Sequence, residues 1–283
     1  MDQPSVMTYS DLNAARTFAD WNNADNVREL YDSVTFSYFG DVIGKKIVDF
    51  GCGGLLFLKK ALTKGAKFAL GFDINEEMMK AGLESRELPS ATDKKLKYAI
   101  YDCFTPLPNE DFSQSDFAAC QFLLHCCENE TKMTTLFQNI YQMLKPGGKA
   151  CILQSTVVRT AQEQQLMADT FGVLPPLKDN YKGQEPIFAE APIFRLSSAS
   201  DAEEAGTLYT REPIFVFKDY FWSKETIIKR LVSVGFVDVH ELWTETLDCM
   251  NVLAPAQVKA IKSVEEPFLF IGAQKPKIFE QSP

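Results

Sequence analysis

The sequence predicts an α/β protein built on an open, mostly parallel sheet. Two observations carry this. From residue 46 to residue 155, short apolar runs alternate with capped helical stretches. That alternation marks repeated βαβ units, because a parallel strand is reached only through a crossover, usually a helix. The first strand, Lys46–Phe50, also ends in glycines at Gly51, Gly53 and Gly54 and leads at once into a helical stretch from Leu55 to Leu62. Strand, glycine turn and helix together present backbone N–H groups to an anionic or polar ligand.

The elements come in a regular order. Residues 1–45 read as helices: one capped by Asp11 and reaching Asp20, another from Val27 to Phe39 behind Asp25 or Asn26. After the first strand and its helix, Gly65 supplies a C-cap. The second strand is Phe68–Phe72, ending in Asp73. Asn75 caps a helix from Glu76 to about Arg86, with Glu76 and Glu77 in the first turn, where the helix dipole favours acids. A polar loop from Leu88 to Lys95 leads to the third strand, Leu96–Tyr101, which ends in Asp102. The fourth strand, Asp116–Gln121, is apolar throughout, as a strand covered on both faces should be. A helix from Thr131 to Leu144 stops at Lys145-Pro146-Gly147-Gly148, and the fifth strand is Lys149–Ser155. The period then breaks. Residues 157–215 carry several prolines and glycines but also Phe188, Phe194, Tyr209 and Phe215, so they read as an insertion with apolar contacts of its own. A helix capped by Ser223 runs to Val234 and ends at Gly235, and strands Val237–Trp243 and Pro267–Ala273 complete the sheet.

Composition narrows the function. The chain has 283 residues, 46% apolar and 24% charged, which is ordinary for a globular protein. A net charge of −9 disfavours non-specific binding to nucleic acid or to anionic membranes. The longest apolar run, Phe117 to Leu124, is far below the roughly 20 residues of a membrane span. Met1-Asp2-Gln3-Pro4 has neither the basic nor the apolar region of a secretory signal. The seven cysteines suit free thiols in a reducing compartment, so a cytoplasmic location is expected. No C-x-x-C exists and the two histidines are His125 and His240, so no metal site is expected. Cys126-Cys127 reads as a small buried hydrophobe beside a loop residue.

Position 56 is Leu, which rules out the G-x-G-x-x-G dinucleotide fingerprint. The run Ile47-Val48-Asp49-Phe50-Gly51-Cys52-Gly53 instead resembles the first motif of the class I S-adenosylmethionine (SAM) methyltransferases. The resemblance extends over about residues 40–155 and 218–275: glycine turn, acid after strand two, acid after strand three, apolar strand four, K-P-G-G turn, and the late Gly235-Phe236 followed by a strand. One position departs: the family's third glycine is Leu55 here, and Gly54 stands one place early. The run from Asp219 to Thr226 further resembles small-molecule members of the toxoflavin-methyltransferase kind.

The resemblance implies a Rossmann-like, seven-stranded sheet with the last strand antiparallel, and SAM as cofactor with S-adenosylhomocysteine (SAH) as product. It assigns Asp73 to the cofactor ribose, Ile74 and Met78 to the adenine walls, and Asp102 to the adenine amino group. The Cys103 backbone N–H reaches a ring nitrogen and Phe104 stacks nearby; Gly51, Cys52 and Gly53 bring backbone to the methionine moiety. The Gln121 carbonyl meets the SAM ammonium, Asp49 orders the turn behind it, and Tyr9, near Phe18 and Trp21 in an N-terminal lid, bonds the carboxylate. No catalytic residue is assigned. His125, in Leu123-Leu124-His125, is read as structural, with a general-base role as the alternative. His240 is read as structural or exposed. The aromatic set Tyr209, Phe217, Tyr220, Phe221 and Trp222 either shapes an acceptor pocket or forms the insertion's core.

The expected architecture is a single domain over residues 1–283, with a helical lid at 1–45, a SAM-binding core at 46–156, a capping insertion at 157–222 and the rest of the core at 223–283. The expected activity is methyl transfer to N or O of a small-molecule acceptor, with no nucleic-acid or membrane partner. Oligomeric state is left open. A protein or RNA methyltransferase, and an inactive methyltransferase-like binding module, are the alternatives, with a Rossmann oxidoreductase, disfavoured by Leu56, as a third.

Overall fold

The computed structural model describes residues 27–84, 95–108, 114–171, 173–181, 185–193, 215–264 and 267–278. Helix α1 (Val27–Phe39) is followed by β1 (Lys46–Phe50), α2 (Leu56–Thr63), β2 (Phe68–Asp73), α3 (Glu76–Glu84) and β3 (Leu96–Ile100). Next come β4 (Ser115–Gln121), a short 3₁₀ turn (Leu123–Cys126), α4 (Glu130–Met143), β5 (Leu144–Ser155) and α5 (Ala161–Phe171). The last part holds β6 (Ile187–Ile193), β7 (Phe215–Phe221), α6 (Lys224–Val234), β8 (Val237–Glu241), α7 (Trp243–Cys249), α8 (Pro255–Ser263) and β9 (Phe268–Gln274).

Seven strands form one sheet in the order β3-β2-β1-β4-β5-β9-β8. The first five are parallel, whereas β9 runs antiparallel to both β5 and β8. Strand β1 is central, with Val48 opposite Leu70 of β2 on one side and Ala118 of β4 on the other. The order reverses between β1 and β4, and ligands bind outside the carboxyl ends of strands at such a switch point. Alternate residues of β1 feed two cores. Ile47 packs with Leu30 of α1 and Phe57 of α2, and Val48 and Phe50 pack with Leu136 of α4 and Leu231 of α6.

Local chemistry sets the helix ends. The Asn75 Oδ1 accepts from the Met78 N–H at 3.0 Å, Asn129 Oδ1 from Lys132 at 3.0 Å, and Ser223 Oγ from Thr226 at 3.2 Å. Gly235 closes α6 at φ 112°, a left-handed conformation that glycine enters without steric cost.

Three elements differ from the sequence reading. Strand β5 starts at Leu144, because the K-P-G-G segment stays in the ladder through a register shift between Ser115 and Phe117. Strand β8 stops at Glu241, and Trp243 opens a helix; Leu242, Thr246 and Met250 are buried at helical spacing on one face of it. Helix α8, also unforeseen, stands between that helix and β9. The 157–215 segment supplies α5 and pairs β6 with β7 as a separate antiparallel hairpin. Its end is tied to the main sheet: Trp222 Nε1 donates to the Cys127 carbonyl at 3.0 Å, and Gln154 Nε2 donates to the Trp222 carbonyl at 2.6 Å.

The glycine turn packs backbone to backbone against Gly82, and it is Gly82 that must lack a side chain. A Cβ at Gly82 of α3 would lie 2.2 Å from the Gly54 carbonyl oxygen and 2.9 Å from its Cα. Backbone meets backbone there, and neither chain can recoil as a flexible side chain would. Helix propensity alone favours Gly82→Ala by about 1 kcal/mol, but a backbone clash costs about 1–3 kcal/mol. The variant is therefore expected to lower the denaturant midpoint; a midpoint at or above wild type would show that α3 does not seat on the glycine turn.

Candidate active site

The glycine turn is stitched to the end of β2. The N–H groups of Gly51 and Cys52 donate to the Phe72 carbonyl at 2.8 and 3.0 Å. The Gly53 N–H donates to Asp73 Oδ2 at 2.8 Å, and the Asn75 N–H donates to Asp73 Oδ1 at 2.8 Å. Each Asp73 oxygen is thus held by at least one backbone donor, and the carboxylate keeps lone-pair capacity for a ligand. Burial pushes the Asp73 carboxyl up, and the bonds from Asn75, Gly53 and Ile74 oppose it. Gly51 and Gly53 adopt φ 75° and 47°, and Leu55 lies at φ 63°. The backbone thus enters the left-handed region at the departing position even with leucine there. Its side chain is fully buried, and that burial offsets a conformational cost of about 1–2 kcal/mol.

The second wall comes after β3. Asp102 Oδ1 accepts from the Phe104 N–H at 2.9 Å. Asn139 of α4 pins this loop, donating to the carbonyls of Cys103 and Thr105 at 3.0 and 2.7 Å and accepting from the Leu107 N–H at 3.0 Å.

These residues edge a cavity of about 330 Å³ at the switch point. Gly51, Gly53, Asp73, Ile74, Met78 and Asp102 line it. So do Cys103, Phe104 and Gln121. Ile74 is 62% exposed and stands at the rim. Cys52 lies instead on a recess of about 70 Å³ that shares Gly51, Gly53 and Gln121 with the main cavity and adds Arg28 and Asp49. Tyr9, Phe18, Trp21 and Tyr209 lie outside the described residues.

Two buried oxygens at the shared edge lack hydrogen-bond partners among the described residues: Asp49 Oδ1 and Gln121 Oε1. The orientation of the Gln121 amide is fixed by its neighbour. Thr35 Oγ1 donates to the Tyr31 carbonyl at 2.8 Å, so Gln121 must donate to Thr35 through Nε2, at 3.1 Å, and its oxygen is left over. Burial raises the Asp49 carboxyl to about 8, against the lowering influence of Arg28 and with further upward push from Asp32 and Asp73. An unpaired charge is costly to bury, so the isolated group keeps its proton.

The far side of the cavity is built by the hairpin. On β7, Phe217, Asp219 and Phe221 share one face by the two-residue period of a strand, and all three line the cavity. Opposite them in register stand Ala191, Ala189 and Ile187. Lys218 and Glu190 face away and are exposed, and Phe188 stacks on Tyr220 on that outer face at 4.6 Å. Of the aromatic set, Phe217 and Phe221 thus face the cavity, Tyr220 lies on the outer face and Trp222 is buried in the core.

His125 sits between hairpin and sheet, buried, with Nδ1 3.5 Å from Asp219 Oδ2. Its Nε2 accepts from the Ser155 N–H at 3.2 Å and lies 3.0 Å from Ser155 Oγ. A backbone donor on Nε2 requires that nitrogen to be unprotonated, which places the proton on Nδ1, towards Asp219. Burial pushes the His125 pKa down, opposed by Asp219. His240 is far less constrained, edge-on to Tyr38 at 6.0 Å on β8.

Sequence reasoning did not single out Arg28, Tyr31, Ser155 or Asp219 as site residues. Three of them come from helices or strands with no motif; Asp219 carried a signal, an acid between two phenylalanines on one strand face.

Comparison with known proteins agrees with this geometry. Residues 48–150 match the methyltransferase domain family. The ribosomal protein L11 methyltransferase of Photobacterium profundum is 28% identical over 134 residues, 46% of this chain. The match spans 42% of that relative's length. Among solved structures, a SAM-dependent methyltransferase of Methanosarcina mazei aligns with TM-score 0.50 and 17% identity, covering 86% of this chain and 96% of that one. Human N-acetylserotonin methyltransferase in complex with SAM aligns with TM-score 0.52 and 15% identity, covering 95% and 58%. The fold is that of the class I methyltransferases. Its seven strands, antiparallel last strand and glycine turn after β1 occupy the positions that the resemblance in the sequence implied.

The Asp49 proton has a consequence for this methyltransferase fold. The folded-state pKa lies above that of an unfolded aspartate, so the stabilisation tied to the proton is complete below about pH 4 and is lost as pH rises through about 8. Between those limits the slope is up to about 1.4 kcal/mol per pH unit. Ligand-free wild type should lose melting temperature relative to Asp49→Asn between pH 6 and 8.5. Parallel curves would mean that Asp49 is already ionised at pH 6.

Proposed function

We propose that this chain is a SAM-dependent methyltransferase that acts on a small molecule, with methyl transfer to nitrogen or oxygen. The observation that carries the reading is one continuous cavity running from Asp73 and Asp102 at the strand ends to Phe217 and Asp219 under the hairpin. It has room for a nucleoside at one end and a second, mostly apolar molecule at the other. SAM, when bound, supplies an electrophilic sulfonium methyl and leaves as SAH.

The residues present fit that cofactor. In this reading Asp73 takes the ribose hydroxyls, Met78 and Ile74 flank the adenine, and Asp102 with the Cys103 N–H reads its edge beside Phe104. Gly51, Cys52 and Gly53 bound the methionine end. The orphaned oxygens of Asp49 and Gln121 are the acceptors an α-ammonium needs, and Arg28 in the same recess is the cation a carboxylate needs. The Gln121 side-chain oxygen thereby takes the part that the family resemblance gives to its carbonyl. The hairpin and α5 keep water from the acceptor end, and alignment of donor and acceptor then supplies much of the rate. Residues 1–283 form one domain in this reading, with 157–222 as the cap.

A second reading, a protein acceptor, is favoured by the relative named for ribosomal protein L11. The hairpin that roofs the cavity supports the small-molecule reading over it, since a protein side chain needs an open approach.

Titration calorimetry with SAM, SAH and NAD tests the cofactor. SAM and SAH are expected to bind and NAD not; folded protein that binds neither SAM nor SAH overturns the reading. Asp73→Ala should weaken SAM at least tenfold, about 1.4 kcal/mol, and equal affinity would remove Asp73 from the site. An ammonium beside Asp49 favours the ionised carboxylate, so SAH binding at pH 7 should release close to one proton. Titrations in buffers of differing ionisation enthalpy read that number, and Asp49→Asn should abolish it.

A further inference from the structure

We infer that the hydroxyl oxygen of Ser155 anchors the methyl acceptor, accepting a hydrogen bond from an O–H or N–H group of that molecule. That the bound molecule is a methyl acceptor rests on the methyltransferase reading, whereas the anchor itself rests on the direction of one chain of hydrogen bonds. The chain starts at a nitrogen whose protonation is fixed. His125 Nε2 accepts the Ser155 N–H at 3.2 Å, so this nitrogen bears a lone pair and Nδ1 bears the proton. Burial lowers the His125 pKa, so the ring is neutral at pH 7 and above. Ser155 Oγ lies 3.0 Å from the same Nε2. If the hydroxyl hydrogen pointed elsewhere, oxygen and nitrogen lone pairs would face one another at that distance. The O–H therefore donates to Nε2, and the oxygen lone pairs remain for a ligand. Among the described residues Oγ has no second hydrogen-bond partner.

The second feature is the place of that oxygen. Ser155 closes β5 opposite Phe268 of β9, and both residues line the cavity. On the neighbouring strand Gln121 stands opposite Leu153, so Ser155 lies just beyond the pair that marks the methionine end, on the side of the hairpin. Phe122, Phe217 and Phe221 line the cavity beside it. Among such apolar walls the few polar atoms decide how a ligand is oriented.

The third feature is rigidity. Ring contacts with Phe122 at 5.7 Å and Phe221 at 5.3 Å hold the imidazole, and its Nδ1 is turned towards Asp219. The Ser155 backbone is paired in the ladder. The direction of the hydroxyl is thus set before a ligand arrives, and a preorganised partner loses less entropy on binding. The sign of the bond also suits methyl transfer. A nucleophile that binds as a donor uses its hydrogen and keeps a lone pair for the sulfonium methyl. One that bound by accepting a hydrogen bond would have that lone pair occupied. An ether or a carboxylate has no hydrogen to give, and its lone pairs would face those of Oγ. The site therefore selects alcohols, phenols and neutral amines that carry N–H.

Calorimetry with SAH-saturated protein at pH 8 tests the anchor. The probes are three donors and their methylated partners: 4-ethylphenol with 4-ethylanisole, cyclohexanol with methoxycyclohexane, and aniline with N,N-dimethylaniline. In wild type at least one donor should bind at least about threefold more tightly than its partner. Ser155→Ala should weaken that donor at least about fivefold, the loss of one hydrogen bond, and leave its partner and SAH within about twofold. No donor bound more tightly than its partner, a donor affinity unchanged in Ser155→Ala, or an equal loss for donor and partner overturns the inference. If the variant does not fold, the wild-type comparison alone decides. If SAH does not bind but a donor binds and is weakened in Ser155→Ala, the methyltransferase reading fails and the anchor stands. If SAH binds and Ser155→Ala leaves every donor unchanged, the anchor fails and that reading stands.

Discussion

The site depends on how the glycine turn is fastened to the end of β2. Three successive N–H groups, of Gly51, Cys52 and Gly53, donate to the Phe72 carbonyl and to Asp73. Those bonds satisfy a backbone that has left the sheet and has no ladder partner, and they hold the Asp73 carboxylate at the mouth of the cavity. Small residues make the approach possible. A Cβ at Gly71 would sit 2.6 Å from Cys52 Sγ, and one at Gly82 would strike Gly54. The turn is therefore clamped between strand and helix by contacts that allow no side chain, and the leucine at 55 is drawn into a left-handed backbone with its side chain in the core.

Polar groups left without partners are informative because protein interiors seldom tolerate them. Asp49 and Gln121 each present a buried oxygen to the same small recess, next to Arg28. The other end of the cavity breaks a different rule, with Asp219 as a buried acid on an apolar hairpin face. His125 belongs with Asp219. With Nε2 occupied by Ser155 and Nδ1 turned towards Asp219, it orients the carboxylate instead of presenting a lone pair to a ligand.

Most of the fold was legible along the chain because its causes are local. Caps at Asn75 and Ser223, the glycine stop at Gly235 and the apolar fourth strand each act within a few residues. So does the acid at each strand end, which is why nine of the cofactor residues named from the sequence line the one cavity. The region from Trp243 to Ser263 was not legible. Its helices bury short, interrupted sets such as Leu242, Thr246 and Met250, whose period is masked by the polar residues between them.

The sequence by itself determined the succession of strands and helices from residue 46 to residue 155, the glycine turn and the carboxylates after β2 and β3, because hydrophobic period, capping and turn chemistry are written in consecutive residues. Tertiary structure alone decided which distant residues line the cavity and its side recess. Arg28 on α1, Ser155 at the end of β5 and Asp219 on β7 have no common spacing in the chain. They meet because the hairpin is tied down through Trp222 to Cys127 and Gln154, and because the sheet reverses its order between β1 and β4. Contacts of that kind arise from how the layers close on one another, and no local pattern encodes them.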